Sequence, residues 1–118
     1  MWRIYQYRTV FDDHYTGCDS DTQNTIDVHM DILQEKGNRA GTTISRYLED
    51  GLCELKAKGE RFIYFFMPGQ KIVFFVAAHK DQRKLRRDYF ELAKRRRKEI
   101  LGEQENIYVI NNPYQTKH

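Results

Sequence analysis

The sequence predicts an α+β domain, a twisted antiparallel sheet in the order β-α-α-β-β-β-α with helices packed on it. Residues 52–79 hold three apolar runs, LCELKAK, RFIYFFM and KIVFFVAAH, and aromatic and β-branched residues that suit strands dominate the last two. Two reversals separate the runs. Lys58-Gly59-Glu60 is the weaker; Pro68-Gly69 is a type II turn signal, because Pro presets φ and the following Gly tolerates φ > 0. The segment LRRDYFELAKRRRKEIL then places Leu85, Tyr89, Leu92, Ala93 and Ile100 at helical spacing, an apolar stripe that should lie on the sheet.

Residues 2–10 alternate, with Trp2, Ile4 and Gln6 on one side and Arg3, Tyr5, Tyr7 and Thr9 on the other, which predicts a strand. Residues 11–23 are polar and rich in Asp, Thr and Gly, and read as a loop. A helix is expected over 21–36: Ser20 and Gln23 fit a capping box, and Ile26, Met30 and Leu33, with Val28 and Ile32, form its apolar stripe. Gly37-Asn38 ends it. Thr42 or Thr43 can cap a short second helix that turns Ile44, Tyr47 and Leu48 inward and stops at Gly51. Gly102 closes the basic helix. The run 107–110, before Asn111-Asn112-Pro113, either adds an edge strand or packs, and 114–118 is a frayed polar end. The 118 residues form one domain, with a core over 2–101 and a C-terminal extension over 102–118.

At 40% hydrophobic and 14% aromatic the chain can bury a core. No apolar run approaches the roughly 20 residues that span a bilayer. The start MWRIYQYRTV lacks the apolar centre and cleavage site of a signal peptide, so a cytoplasmic protein is expected. Cys18 and Cys53 are unpatterned thiols, and histidines 14, 29, 79 and 118 are scattered without ligand spacing to a cysteine. Neither a metal site nor a small-molecule cofactor is expected. There is no GxSxG, no Gly-rich phosphate loop and no telling acidic pair.

Charge is unevenly spread. Residues 80–98 carry ten Lys or Arg against three Asp or Glu, a net +7 that leaves −4 for the remainder of a chain whose total is +3. Such a segment points to a polyanion, RNA or DNA first; the competing reading is a solvated helix face. The meander can bring Lys56, Arg61 and Lys80 together at strand ends, with Arg83 in the following loop and Tyr89 in the first turns of the helix. RNA cleavage requires the 2′-OH deprotonated, the leaving 5′-oxygen protonated and the charge on phosphorus neutralised. A cluster of cations can supply all three, because like-charge neighbours make a lysine a usable base and an arginine fork matches phosphate oxygens. Around them, Lys58, His79, Lys84, Arg86, Arg87, Arg95, Arg96 and Arg97 are candidate RNA-binding residues.

The ordered set DGLCELKAKGERFIYFF, KIVFFVAAHK and RDYFELAKRR resembles the RelE/HigB superfamily of bacterial toxin–antitoxin modules, especially its phage-derived HigB-like branch, over about residues 44–101. The resemblance implies a RelE-like fold and a toxin that is an mRNA endoribonuclease on the ribosome, metal-independent and restrained by a cognate antitoxin. Lys56 matches the strand cation proposed as general base, and Arg61 the arginine on the scissile phosphate. Lys80 matches the first cation after the third strand, and Tyr89 the closing-helix tyrosine that orients phosphate or stacks a base. The chain departs from the pattern at Glu60, where a Tyr is usual, and at Asp81, where a second cation is usual; either Arg83, two positions on, takes the leaving-group acid role or no residue does. The Pro that often opens the last helix is replaced near Arg86. A ParE-like relative of the same fold that poisons DNA gyrase without cutting RNA is the alternative, as is an inactive nucleic-acid-binding relative.

Overall fold

The computed structural model describes residues 1–79, 86–102 and 107–109, the side chains at 86, 87, 90 and 107–109 excepted. The chain runs β1 (Arg3–Tyr7), α1 (Val10–Thr16), α2 (Ser20–Lys36), a 3₁₀ turn (Gly37–Arg39), β2 (Ser45–Tyr47), β3 (Cys53–Ala57), β4 (Glu60–Met67), β5 (Lys71–His79), α3 (Arg86–Gly102) and β6 (Ile107–Val109). It is a mixed α+β fold. The meander β2-β3-β4-β5 is antiparallel, and the six-stranded order is β2-β3-β4-β5-β1-β6.

The sheet is not wholly antiparallel. β1 lies beside β5 in parallel, with Ile4 opposite Ile72, while β6 pairs antiparallel to β1. Alternation marked β1 as a strand, but the partner of a strand is set by tertiary contacts. The run near 107 does add a strand, and it closes over the edge that β1 would otherwise expose.

Alternating side chains divide the core by face. Ile4, Leu55, Phe62, Tyr64 and Phe74 pack with Phe11, Tyr15, Ile26, Met30 and Leu33 of α1 and α2. Ile63, Phe65, Val73 and Phe75 pack with Ala93 and Ile100 of α3. The register of β4 and β5 shifts between Ile63 and Tyr64, so Ile63 opposes Val76 and Tyr64 opposes Phe74. The extra residue, Phe75, therefore shares the α3 face with Val76.

Three expectations are corrected. The polar stretch after β1 is not a loop: it contains α1, whose first turn is capped by buried Gln6, with Oε1 accepting from the Phe11 and Asp12 amides, each at 3.1 Å. α2 is capped by Asp19, which accepts from the Thr22 amide at 2.8 Å, and not by a Ser20–Gln23 box. The short second helix is instead β2 and a turn. Gly41, Asp50 and Gly51 adopt positive φ; the Leu48 amide donates to the Leu52 carbonyl and the Leu52 amide to the Glu49 carbonyl, each at 2.8 Å. No helix among the described residues is long and apolar enough to cross a membrane.

Candidate functional site

β3 and β4 meet at the two-residue reversal Lys58-Gly59, which makes Lys56 and Arg61 directly paired neighbours. Alternation sends Leu55, Ala57 and Phe62 to the α1–α2 face, and so Glu54, Lys56 and Arg61 to the face that carries α3. Lys56 is half-buried. Arg61 Nη1 donates to the Lys58 and Glu60 carbonyls, both at 2.8 Å, which braces a reversal whose Lys58 sits at φ +55°. Non-glycine residues reach that left-handed region only under strain.

Two residues outside the expected set join this site. Glu54 is buried, and its Oε1 accepts from Arg46 Nη2 at 3.1 Å and lies 3.9 Å from Arg61 Nε. Strand alternation alone places Glu54 on the face of Lys56, two residues away. Arg46 was hidden because its segment looked helical, and pairing Arg46 with Glu54 requires the β2 strand. Tyr89 packs into the α3-side core, and its hydroxyl is buried without a hydrogen-bond partner among the described residues. Burial first, then the Glu54 charge, holds that phenol's proton far more tightly than usual, against weaker opposing effects from Arg61 and Arg46. Tyr89 is therefore a neutral donor set beside a Glu flanked by two arginines.

Those expected RNA contacts that fall among the described residues have different surroundings. Lys58 and Arg95 are exposed. Arg96 is half-buried: Nη1 donates to the Phe75 carbonyl at the bulge, 2.7 Å away, and its guanidinium lies 5.4 Å from the Tyr7 ring centroid. Burial lowers its proton affinity. Arg97 bonds the Asp50 carbonyl, and Lys94 reaches Glu49 at 3.4 Å, so both cations pin α3 to the β2–β3 turn. Lys80, Arg83 and Lys84 lie outside the described residues, and Arg86 and Arg87 open α3 with side chains likewise outside them.

His79 is turned to the opposite face, where it is the Cα partner of Glu60. There two histidines that are far apart in the sequence come together. His14 Nε2, on α1, and His79 Nδ1 each lie 2.6 Å from the same oxygen, Glu60 Oε1. No sequence spacing shows this, because the polar stretch after β1 does not read as a helix and the two histidines lie 65 positions apart.

Residues 15–98 match the family of phage-derived Gp49-like proteins (DUF891). The match runs from the last turn of α1 through most of α3 and so includes the β3–β4 reversal. The chain belongs to this family, which is associated with RelE/HigB-like toxins. A comparison with curated proteins found no match.

Proposed function

We propose that the protein is the toxin of a toxin–antitoxin pair and cleaves mRNA on the ribosome, with a cognate antitoxin as its restraint. The observation that carries this reading is the pairing of Lys56 with Arg61 across one tight reversal, on the face covered by a cationic helix. In the proposed reaction Lys56 accepts the 2′-OH proton as that oxygen attacks phosphorus, and Arg61 neutralises the non-bridging oxygens. The P–O5′ bond breaks, the 5′-oxygen takes a proton, and a 2′,3′-cyclic phosphate remains. By sequence position Lys80 and Arg83, following β5, are the donors to that oxygen. Glu54 acts as a positioning residue that holds Arg61 and Arg46, and Tyr89 supplies a protonated hydroxyl beside them.

Induced expression followed by primer extension on a reporter mRNA tests the reading. Discrete cleavage at codons is expected from the native chain and none from Lys56→Ala or Arg61→Ala, with circular dichroism confirming that both variants fold. Growth arrest with intact mRNA and DNA-damage signalling would replace it by the gyrase-directed alternative. Absence of arrest would leave an inactive nucleic-acid-binding relative.

A further inference from the structure

We propose that His14, Glu60 and His79 bind one divalent transition-metal ion of the zinc class, on the sheet face opposite the cationic site. The donor set is two imidazoles and a carboxylate, with all three donor atoms within 4.8 Å of one another. Tetrahedral zinc has bonds of about 2.0–2.2 Å to such ligands, which sets donors roughly 3.3 Å apart. The imidazoles, each 2.6 Å from Glu60 Oε1, thus need only side-chain adjustments to open room for the ion. Imidazole nitrogen with carboxylate suits zinc and its neighbours better than magnesium or calcium, which prefer all-oxygen shells.

Three features make this more than a chance meeting of polar groups. The ligands stand on three different elements, α1, the first residue of β4 and the last of β5, and Glu60 and His79 are held by sheet register. The His14 ring is set edge-on to fully buried Phe62 at 5.3 Å and lies 4.9 Å from the His79 ring, which restricts its rotation. Glu60 is a buried carboxylate whose ion pairs, among the described residues, are with these two imidazoles and not with a Lys or Arg. A bound divalent ion would supply the compensating charge. The His14 and Glu60 side chains are 15% and 12% exposed and His79 is 58% exposed, so an ion has an entry path and keeps a fourth position open to water. Once bound, it staples α1 to the ends of β4 and β5, and fixes the residue from which Lys80 and Arg83 follow. The inference is independent of the ribonuclease reading.

The test uses the full chain, stripped with a chelator, desalted and titrated with zinc chloride alone by calorimetry. Co²⁺ is added in parallel to read ligand-field absorption. One equivalent is expected per chain, with a melting temperature that rises with zinc concentration. His79→Ala alters an exposed side chain and should keep the fold, yet weaken zinc by about tenfold or more; Glu60→Gln should do the same. His118→Ala should bind as the native chain does. No zinc-dependent rise in melting temperature, native affinity in a folded His79→Ala, or an equal loss in His118→Ala would each overturn the site.

Discussion

Glu54 shows how one residue changes the meaning of its neighbours. A buried carboxylate between Arg46 and Arg61 turns what looked like a purely cationic cluster into a compensated network. Breaking one side of such a network leaves a desolvated charge, which costs more than the contact itself contributes. Arg61→Ala should therefore lower stability by about 1–3 kcal/mol in urea unfolding, and adding Glu54→Gln should return part of the loss. Strict additivity of the two changes would show that they are uncoupled. Asp19 is a simpler case. Hydrogen bonds from Thr22 hold its carboxyl below the ordinary 3.8. A depressed carboxyl stabilises the folded state above its unfolded pKa, and that contribution fades as pH falls through the lower folded value. Asp19→Asn should then flatten the native chain's loss of stability below about pH 4. A curve identical to the native one would remove Asp19 from acid unfolding.

At the scale of elements, α3 is held by its cations as much as by its apolar stripe. The bulge in β5 displaces Phe75 from the ladder, and Arg96 takes up its carbonyl. Arg95, one residue earlier, faces solvent. The two arginines therefore separate by experiment. Arg96→Gln should cost about 1–3 kcal/mol of stability. Arg95→Gln should leave stability nearly unchanged and, if this face binds RNA phosphates, reduce the log–log salt slope of RNA binding by about 0.7–0.9. The reverse assignment of effects would mean that α3 is rotated from the position described. The end of α2 depends on Gly37, at φ +55°, where a Cβ would stand 2.2 Å from Trp2 Nε1. Trp2 in turn packs on Phe66 at 5.0 Å. Gly37→Ala should destabilise by about 1–3 kcal/mol through strain and overpacking, and shift the emission of the one tryptophan. Unchanged emission and stability would show that the close approach is not maintained.

At the scale of the whole molecule, both sheet edges are three-residue strands, β2 and β6, too short to template a long added strand. β1 lies inside the sheet between β5 and β6. An antitoxin is therefore expected over the cationic face, as an acidic or amphipathic segment against α3 and the β3–β4 reversal. Hydrogen exchange on the complex with the product of the neighbouring reading frame should show added protection around Lys56, Arg61 and α3. Protection confined to β1 would sink that arrangement.

The sequence by itself determined the meander, the basic helix after it and the adjacency of Lys56 to Arg61. Each depends on local information: strand alternation, turn residues that accept one backbone geometry, and an apolar stripe at helical period. Tertiary structure alone decided the rest. α1 forms because Gln6, buried on the preceding strand, satisfies its first amides. Residues 45–47 became a strand despite helical spacing, because pairing with β3 buries Ile44 and sets Arg46 on Glu54. Arg96 became a structural residue once a bulge left a carbonyl for it. His14 and His79 converge on Glu60 because a helix and two strand ends meet there. Local patterns record how a segment is shaped, whereas hydrogen-bond satisfaction and charge compensation depend on which distant segment arrives beside it.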